Sequence, residues 1–519
     1  MHLATLDFTV VAIYAAILLF IAQWVSREKA GHQKDTSDYF LAGRSLPWWA
    51  IGASLIAANI SAEQIIGMSG QGFVVGMAIA SYEWMAALTL LIVGKYLLPV
   101  FLKHEIYTMP QFLEQRYDHR VRMVMASFWL GVYVFVNLTS ILWLGALAIN
   151  TITGLDINYA VILLAAFAAA YSLYGGLKAV ALTDIIQVVL LVMGGLMIAY
   201  ISMNKVSDGA GVVAGFKMVV ELLPDKFDMI LSKDSPHYMS LPGISVLIGG
   251  MWVMNLSYWG FNQYIIQRAL AAKSNREAQK GIAFAAFLKM LMPVLVVLPG
   301  IAALILTPDL SASDKAYPEV MKLLPVGIKG LVFAALIAAI VSSLASMMNS
   351  ISTIFTMDIV AYYGQRSEQQ LVTIGRLTSL SALIIAVIVA RPLLGSLESA
   401  FQYIQEFTGF FTPGVVAIFL LAFFWKKTTA NAALAAAIGS FVFSLACYYG
   451  WTTLPFMDRV GLAFIVAIVL GLLVSEVEGK GEHPNAIDYA AVDTSTSSGF
   501  NWATLVIVLM LAGLYGVWW

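Results

Sequence analysis

The chain has 519 residues, of which 60 % are hydrophobic and 11 % are charged, and its mean hydropathy is +0.84. Soluble globular domains carry about 25 % charged residues, so this composition excludes them and predicts an integral membrane protein. The 29 basic and 30 acidic residues nearly balance, which gives no sign of a nucleic-acid partner. The single cysteine, Cys447, lies in an apolar segment, which excludes a disulfide framework and a cysteine-based metal site.

Apolar runs of about 20 residues, the length that crosses a bilayer, predict fourteen transmembrane spans. The first run exceeds about 15 residues and has no basic region before it, so we interpret it as a retained helix rather than a signal peptide. In chain order, spans 1 to 14 cover residues 7–25, 48–74, 77–101, 122–150, 157–175, 180–203, 243–267, 281–307, 328–357, 371–392, 399–424, 431–450, 455–475 and 500–518.

The distribution of basic residues predicts the orientation, because basic residues concentrate in inner loops. An even number of spans places both termini on one side. With the termini outside, 18 basic residues fall in the inner loops or at their span edges and nine face outward, so we predict both termini outside. The inner set is Arg27, Lys29, Lys34, Arg44, Lys103, Arg116, Arg120, Arg122, Lys178, Arg268, Lys273, Arg276, Lys280, Arg366, Arg376, Lys426, Lys427 and Lys480.

The loops indicate no soluble domain. Two long loops, about 204–242 and 308–327, are expected outside and to hold short helices or lids. The inner segment 475–498 is polar, acidic and serine-rich, and we interpret it as a linker. Spans 2 and 7 are both polar and glycine-containing and lie five spans apart, so they run in opposite directions, as the first helices of inverted repeats do.

Residues 57–72, AANISAEQIIGMSGQG, are the most unusual part of span 2. A charge at the centre of a membrane helix costs roughly 2.5 to 3.5 kcal/mol, and each of three glycines weakens the helix by about 1 kcal/mol. A broken helix would free carbonyls, which are tolerated there only when they line a cavity or lie buried in protein. We predict a site for a cation and a polar solute; the alternative is a kinked helix paired with its neighbours. The polar side chains are Asn59, Ser61, Glu63 and Gln64.

Further segments place polar side chains at membrane depth. Glu83 in SYEWM (81–85) fits either a ligand site or a snorkelling carboxylate in an aromatic belt. NLSYWGFNQYIIQR (255–268) combines amides with aromatic rings, which suits a pyranose or a buried aromatic core. Lys289 must find acceptors, so it either braces neighbouring side chains or touches the solute. In FQYIQEF (401–407), Gln405 is the candidate for a cavity-facing side chain.

Span 9 carries the candidate cation ligands. The adjacent hydroxyls of Ser342 and Ser343 provide half of an oxygen shell for a hard cation such as sodium. We expect the other half from carbonyls freed around residues 57–60. Asp184, near the inner end of span 6, either adds charge to an ion path or forms a cap or salt bridge.

Enzyme motifs are missing from the sequence. Glu63 and Glu83 could be imagined as an acid/base pair, but no nucleophile with a base, metal-ligand spacing or phosphate-binding loop accompanies them. All six histidines lie outside the predicted spans. We therefore predict a protein that is not an enzyme.

Five segments resemble the sodium/solute symporter family, and most closely its bacterial sodium/galactose members. The similarity runs over nearly the whole chain and is weakest in the outer loops and after residue 428. The segments are DYFLAGRSLPWWAIGASLIAANISAEQIIGMSG (38–70), YGGLKAVALTDIIQ (174–187), NLSYWGFNQYIIQR (255–268), AKSNREAQKG (272–281) and FAALIAAIVSSLASMMNS (333–350).

The resemblance implies an all-α integral membrane protein of about 14 transmembrane helices. Its core would be of the LeuT type, two inverted five-helix repeats with broken first helices. In this chain 7–25 would be a peripheral helix, 48–203 the first repeat, 243–424 the second repeat, and 431–518 three additional helices of one transporter domain, 1–519.

The resemblance also implies residues for each ligand. The solute would be bound by Gln64, Glu83, Asn255, Tyr258, Lys289 and Gln405, with Asn59 adjoining. Met68, Tyr82 and Phe401 would close the outer side, and Tyr258 would stack on the sugar as the inner gate. Sodium would be held by the carbonyls of Ala57, Ile60 and Ala339 and the hydroxyls of Ser342 and Ser343, with Asp184 on its exit path.

The predicted function is sodium-coupled uptake of a neutral hexose, galactose or glucose, by alternating access in the bacterial plasma (inner) membrane. The co-transported ion is sodium, and no organic cofactor is expected. Ala86 stands where the galactose pattern has a serine, and one lost hydrogen bond of about 0.5 to 1.5 kcal/mol would alter affinity or epimer preference. The alternatives are a symporter of inositol, sialic acid or an amino acid, and a sugar uniporter or channel.

Overall fold

The computed structural model describes residues 3–25, 35–173, 176–395 and 400–519. This part of the chain is all-helical, and its β contact is an isolated bridge between Leu46 and Ala272. Several predicted features lie outside the described residues: Arg27, Lys29, Lys34, the side chain of Lys178, residues 174–175 and the first residue of span 11.

Within the described residues there are 26 α-helices, numbered here in chain order. The first half contains α1 Thr5–Val25, α2 Thr36–Leu41, α3 Trp48–Asn59, α4 Met68–Val74, α5 Ser81–Ile92, α6 Leu98–Lys103, α7 Met109–Arg116, α8 His119–Val132, α9 Thr139–Thr153, α10 Ile157–Ser172, α11 Gly176–Val206 and α12 Val212–Leu222. The second half contains α13 Ile244–Ile248, α14 Gly250–Leu256, α15 Gln263–Leu270, α16 Asn275–Met292, α17 Leu298–Leu306, α18 Ala316–Met321, α19 Ile328–Thr353, α20 Ala361–Tyr363, α21 Glu368–Leu394, α22 Ala400–Thr408, α23 Thr412–Phe424, α24 Ala430–Gly450, α25 Phe456–Glu478 and α26 Ser498–Val517.

Wider π turns join several of these helices into continuous spans. The π segments are Glu63–Gly67, Val93–Leu97, Tyr133–Leu138, Ser257–Phe261, Pro293–Val297 and Ile354–Val360. Single π turns inside α-helices are rare and occur frequently at functional sites. Three of them, in spans 2, 4 and 7, border the cavity described below.

Nine described helical segments are long and apolar enough to cross a bilayer, and two bent helix pairs raise the number to eleven. In span 2, α3 bends by 61° from the helix that follows it. In span 11, which the sequence predicted as one span over 399–424, α22 and α23 meet at 43°. Span 7 is interrupted twice, at Gly249 (φ −128°, ψ −120°) and at Asn262 (φ −84°, ψ 122°).

The break in span 2 has a different cause from the predicted one. The α3 helix ends at Asn59, and Ile60 leaves the helical region with φ −72° and ψ 72°, several residues before the glycines. Those glycines lie within helical segments and allow close approach of neighbours instead. A Cβ at Gly70 would meet the Ser313 backbone at 2.9 Å, and one at Gly72 would meet the Val297 carbonyl oxygen at 2.7 Å.

The loops outside the spans are ordered by short helices and docking contacts. The loop 204–242 contains α12, and the loop 308–327 contains α18, so the prediction of short helices in these two loops is confirmed. Asp314, in the second loop, accepts a hydrogen bond from Ala400 N at 3.2 Å. Burial raises the pKa of the Asp314 carboxyl to about 7, although this hydrogen bond lowers it.

The inner segment 475–498 is more than a linker. Its first residues extend α25 to Glu478, and the remainder packs on the ends of other helices. Tyr489 OH donates to Tyr96 O at 2.8 Å, and Gln279 Nε2 donates to Ser495 O at 3.1 Å. The linker interpretation, based on composition alone, could not anticipate these backbone contacts.

Three arginines of the predicted inner set are buried. Arg116 donates to carbonyls at the C-terminal end of α23, including Ala422 O at 3.2 Å. Arg122 pairs with Asp358 at 2.8 Å. Arg268 is fully buried inside the protein, so it does not belong to a solvated loop and the charge count overstated the inner excess.

Candidate functional site

A cavity of about 120 Å³ lies beside the breaks of spans 2 and 7. Side chains from spans 2, 3, 4, 7 and 11 line it, which brings together segments from both halves of the chain. The predicted solute residues that line it are Asn59, Gln64, Glu83, Asn255, Tyr258 and Gln405. Lys289 lies behind the wall, and Ala86 is buried without lining the cavity.

Lys289 braces two of the cavity residues. Its Nζ donates to Glu83 Oε2 at 2.5 Å and to Asn59 Oδ1, and it lies 4.9 Å from the centre of the Trp259 ring. The side chain of Lys289 is 0 % exposed. Buried charges must be paired and hydrogen-bonded. Here Lys289 of span 8 meets this requirement by contacting Glu83 of span 3 and Asn59 of span 2. Of the two roles that the sequence left open, these contacts are those of the bracing role, and contact of Lys289 with the solute stays a prediction.

A chain of hydrogen bonds continues from this pair along the cavity wall. Gln64 Nε2 donates to the other Glu83 oxygen, Oε1. Asn59 Nδ2 donates to Tyr258 OH at 2.9 Å, and Tyr258 OH also contacts Tyr264 OH. The last residue of α3 is therefore held from both sides, which stabilises the helix break next to the cavity.

Aromatic side chains bound one end of the cavity. The rings of Tyr82 and Phe401 meet edge to face with centroids 5.7 Å apart. Gly67 allows this approach, because a Cβ there would lie 2.8 Å from Phe401 Cβ. Met68 Sδ accepts from Gln64 Nε2 at 3.4 Å. The three residues predicted to close the outer side thus lie together.

The candidate sodium ligands come from α19 and the end of α3. Ser343 Oγ lies 3.3 Å from Ala57 O and 3.1 Å from Ala58 O, so its single hydrogen can be donated to either carbonyl. Ala339 lies one helical turn before Ser343, and Ile60 lies at the break; both are buried. These carbonyl and hydroxyl oxygens are the ligand type that hard cations prefer.

Ser342 joins this group to a buried charge. Its hydroxyl donates to Asp184 Oδ1, and Ser54 Oγ donates to Asp184 Oδ2 at 2.6 Å. Arg268 Nη2 lies 3.9 Å from the same carboxylate. Asp184 therefore contacts Ser342, a predicted sodium ligand, and also forms a salt bridge with Arg268. The salt bridge that the sequence offered as an alternative is present, and a role of Asp184 in an ion path stays a prediction.

The sequence signature of the family described as Sodium:solute symporter family matches residues 39–439, well over half of the chain. The chain belongs to the sodium:solute symporter family. This confirms the family predicted from the sequence, and with it a sodium-coupled solute symporter whose co-transported ion is sodium.

Relatives within the symporter family match over most of the chain. A sodium/glucose cotransporter from Vibrio parahaemolyticus is 52 % identical over 100 % of this chain and 99 % of its own length. Sodium/glucose cotransporter 4 from Danio rerio is 33 % identical over 82 % of this chain and 69 % of its own length. The sodium/myo-inositol cotransporter from Homo sapiens is 33 % identical over 85 % of this chain and 66 % of its own length.

Solved structures share the fold. A Na⁺-coupled sialic acid symporter in a substrate-bound outward-open state aligns with a TM-score of 0.81 at 24 % identity, over 91 % of this chain and 98 % of that chain. Mhp1, a nucleobase-cation-symport-1 family transporter, aligns with a TM-score of 0.53 at 13 % identity, over 91 % and 99 %. The all-helical membrane-transporter fold predicted from the sequence is therefore confirmed.

The symporter cavity also contains residues that sequence reasoning missed. Asn137 lines it from the π segment of span 4, where the sequence offered a lone amide in an apolar run as the only signal. Tyr133, one turn earlier, donates to Asn262 Oδ1 and accepts from Gln263 N at 2.9 Å. An aromatic residue in an apolar span carries no recognisable sequence signal of such a role.

Proposed function

We propose that the protein takes up a neutral hexose, glucose or galactose, together with sodium across the bacterial plasma (inner) membrane. The observation that carries this proposal is that the end of α3 belongs to both candidate sites. Asn59 lines the cavity, and the carbonyl of Ala57, two residues earlier, contacts Ser343. The wide sequence match to a sodium/glucose cotransporter supports the substrate class.

The cavity wall supplies the groups that a pyranose needs. Gln64, Asn255 and Gln405 offer amide donors and acceptors to sugar hydroxyls, and Glu83 offers a carboxylate. Tyr258 presents an aromatic face for the apolar side of the ring and closes the site from inside. Lys289 and Asn59 position Glu83 and Tyr258, while Met68, Tyr82 and Phe401 close the outer side.

Sodium would couple to the solute through the end of α3. Bound by the carbonyls of Ala57, Ile60 and Ala339 and the hydroxyls of Ser342 and Ser343, it would hold the break against α19. Asp184 would receive the ion on its way to the inner side. Coupling requires that each ligand prefers one conformation, and the membrane potential contributes about 2.3 kcal/mol per charge at about 100 mV.

The proposed architecture is a LeuT-type core in a chain of fourteen spans with both termini outside. Residues 48–203 and 243–424 would form the inverted repeats, 7–25 a peripheral helix, and 431–518 three further helices. The breaks near the start of each proposed repeat, in spans 2 and 7, support this arrangement.

The chemistry of the cavity favours a neutral solute over a carboxylate. A carboxylate solute would call for a free cation in the wall, but among the described residues the cavity lining contains no basic side chain. The nearby Lys289 is already paired with Glu83. A sialic acid or an amino acid is therefore the weaker candidate.

Uptake of labelled galactose and glucose into proteoliposomes tests the function. We expect accumulation above the external concentration only with an inward sodium gradient, and competition by unlabelled hexoses but not by sialic acid. Potassium replacing sodium is the control. Equal uptake with and without the sodium gradient would refute the proposal, and competition by inositol alone would reassign the solute.

A further inference from the structure

Glu63 is a buried carboxyl group to which the proposed transport function assigns no role. It begins the π segment Glu63–Gly67 and lines the cavity beside Gln64. Its Oε1 contacts Ser140 Oγ of α9, so it links the broken span 2 to span 4. A carboxyl group at this depth is expensive and marks a functional position.

The surroundings of Glu63 offer no countercharge. Lys289 is engaged by Glu83, and Arg268 lies beside Asp184. Among the described residues lining the cavity there are two glutamates and no lysine, arginine or histidine. An ionised carboxylate without a paired cation in such an environment is strongly disfavoured relative to the neutral acid.

The single hydrogen of the Ser140 hydroxyl also favours a protonated Glu63. Ser140 Oγ contacts Glu63 Oε1 and also lies 2.9 Å from Asn137 O. A hydroxyl has one hydrogen to donate, so it cannot serve two acceptors. If Glu63 is protonated, it donates to Ser140 Oγ and Ser140 donates to Asn137 O, and each donor has one acceptor.

We propose that Glu63 is a proton-binding site in the wall of the substrate cavity, occupied in this conformation. A proton from cavity water bonds to the Glu63 carboxylate, which loses its negative charge. The expected effect on transport rests on the proposed function, whereas the proton-binding site itself does not. Deprotonation would leave an unpaired charge at the break of span 2 and disfavour this conformation.

Other ionisable groups face Glu63 or lie on elements packed against its segment. Glu83 and Lys289 form a neutral pair, and the phenols of Tyr258 and Tyr264 remain protonated over the range tested, since a phenol ionises only near pH 10. None of them supplies the missing positive charge. The remaining ionisable side chains on elements packed against Glu63–Gly67 are Asp314, Lys315, Tyr317, Glu319, Tyr403 and Glu406. Lys315 does not line the cavity, and its ammonium donates to Ser311 Oγ at 2.9 Å in an exposed hydrogen bond.

If this conformation requires protonated Glu63, solute uptake falls as the pH rises and Glu63 loses its proton. Labelled-hexose uptake is measured from about pH 6 to about pH 9 at a fixed sodium gradient, for the wild type and Glu63→Gln. An amide imitates the protonated acid and still donates to Ser140. We expect the wild type to lose uptake by about tenfold and Glu63→Gln to give a flat profile.

Two further variants separate titration from damage to the structure. Glu319→Gln makes the same chemical change in an outer loop, where Glu319 pairs with Lys322 at 2.7 Å, and keeps the wild-type profile. Ser140→Ala removes the donor available to ionised Glu63, so the fall in uptake moves to higher pH. Parallel profiles for the wild type, Glu63→Gln and Ser140→Ala would overturn the proposal.

Infrared spectroscopy of the purified protein tests the site without transport. We expect the carbonyl band of a protonated carboxylic acid at neutral pH in the wild type and in Glu319→Gln, reduced by one group in Glu63→Gln. An unchanged band would overturn the proton site. Absence of hexose uptake in every variant at every pH would instead refute the proposed function, while the infrared result would still decide the protonation of Glu63.

Discussion

The contact between Lys289 and Glu83 shows how one buried side chain can organise the wall of a cavity that it does not line. The side chains of Lys289 and Glu83 are 0 % and 4 % exposed, and each partner has a second contact, Lys289 with Asn59 and Glu83 with Gln64. Removing one partner of a buried pair leaves an uncompensated charge, which destabilises proteins by about 3 to 5 kcal/mol. Removing both charges costs much less.

We therefore expect Lys289→Met to lower the stability of the folded protein by about 3 to 5 kcal/mol, and Lys289→Met with Glu83→Gln to recover most of it. Thermal unfolding in detergent, followed by intrinsic fluorescence, measures both. Lys95→Met is the matched control, because Lys95 is partly exposed and lies over the Tyr96 ring. Equal melting temperatures for Lys289→Met and Lys95→Met would contradict the bracing role.

A second residue-scale expectation concerns sodium. Ser343→Ala removes the hydroxyl that reaches the carbonyls of Ala57 and Ala58. The sodium concentration for half-maximal uptake should rise by about tenfold, which corresponds to about 1.4 kcal/mol. Ser440→Ala removes a buried hydroxyl that bonds within its own helix and should leave this concentration unchanged. A shift of the same size in both variants would argue against sodium binding at Ser343.

At the residue scale, sequence reasoning found polar groups that are conspicuous in apolar spans. Gln64, Glu83 and Lys289 stand out because charge and amides are costly in a membrane. Asn137 and Tyr133 did not stand out, since an isolated amide or phenol in an apolar run is common and its partners lie far along the chain. The division of Ser343 and Ser342 between α3 carbonyls and Asp184 also depends on three-dimensional packing.

At the scale of elements, the second span combines a break at Ile60 with close packing of the residues that follow it, from Gly67 to Gly72. Its glycines fit against the backbone of neighbouring segments, so their lack of a side chain is a packing requirement. Gly72 meets the π segment Pro293–Val297. An added methyl group must push that segment away, because the nearest atom is a backbone oxygen and cannot rotate aside.

Gly72→Ala should destabilise the protein by about 1 to 3 kcal/mol through overpacking. Gly131→Ala in α8 is the matched control, because nothing lies within 4 Å of its added Cβ, and it should stabilise by up to about 1 kcal/mol through helix propensity. Melting temperatures in detergent provide the comparison. A stabilising effect at both positions would show that this part of span 2 can relax.

Long apolar helices could be read directly from hydropathy, whereas their bends could not. The 43° bend of span 11 lies between Thr408 and Thr412, next to Gly409 and Pro413, two helix-breaking residues that a hydropathy profile does not register. The break of span 2 was expected, but the glycines suggested for it are packing positions. A bend at Gly or Pro has a local cause, whereas the end of α3 at Asn59 is held by Lys289 and Tyr258, which lie far along the chain.

At the scale of the whole molecule, orientation in the membrane remains a prediction. The count of basic residues favoured termini outside, but Arg116, Arg122 and Arg268 are buried by carbonyl or carboxylate partners. The rule depends on charges that stay in loops near the membrane. Burial of these three arginines therefore reduces the excess of basic residues in the predicted inner loops, but that excess remains.

Labelling of single cysteines tests the orientation. In a Cys447→Ser background, Lys233→Cys lies in an exposed outer-loop position and Glu482→Cys in an exposed inner segment. We expect a membrane-impermeant maleimide to label Lys233→Cys in intact cells and Glu482→Cys only after permeabilisation. Treatment of permeabilised cells provides the control for reactivity. The opposite pattern would place both termini inside.

The contact of Ser343 with Ala57 joins residues that are 286 positions apart. Domains emerge from the ribosome in order from the N-terminus, so the first carbonyls of the ion site enter the membrane long before their hydroxyl partner is synthesised. A nascent or truncated chain that ends before α19 lacks half of the proposed sodium shell. The proposed ion site can therefore be completed only after synthesis has passed α19, so its assembly is a late event in the biogenesis of the protein.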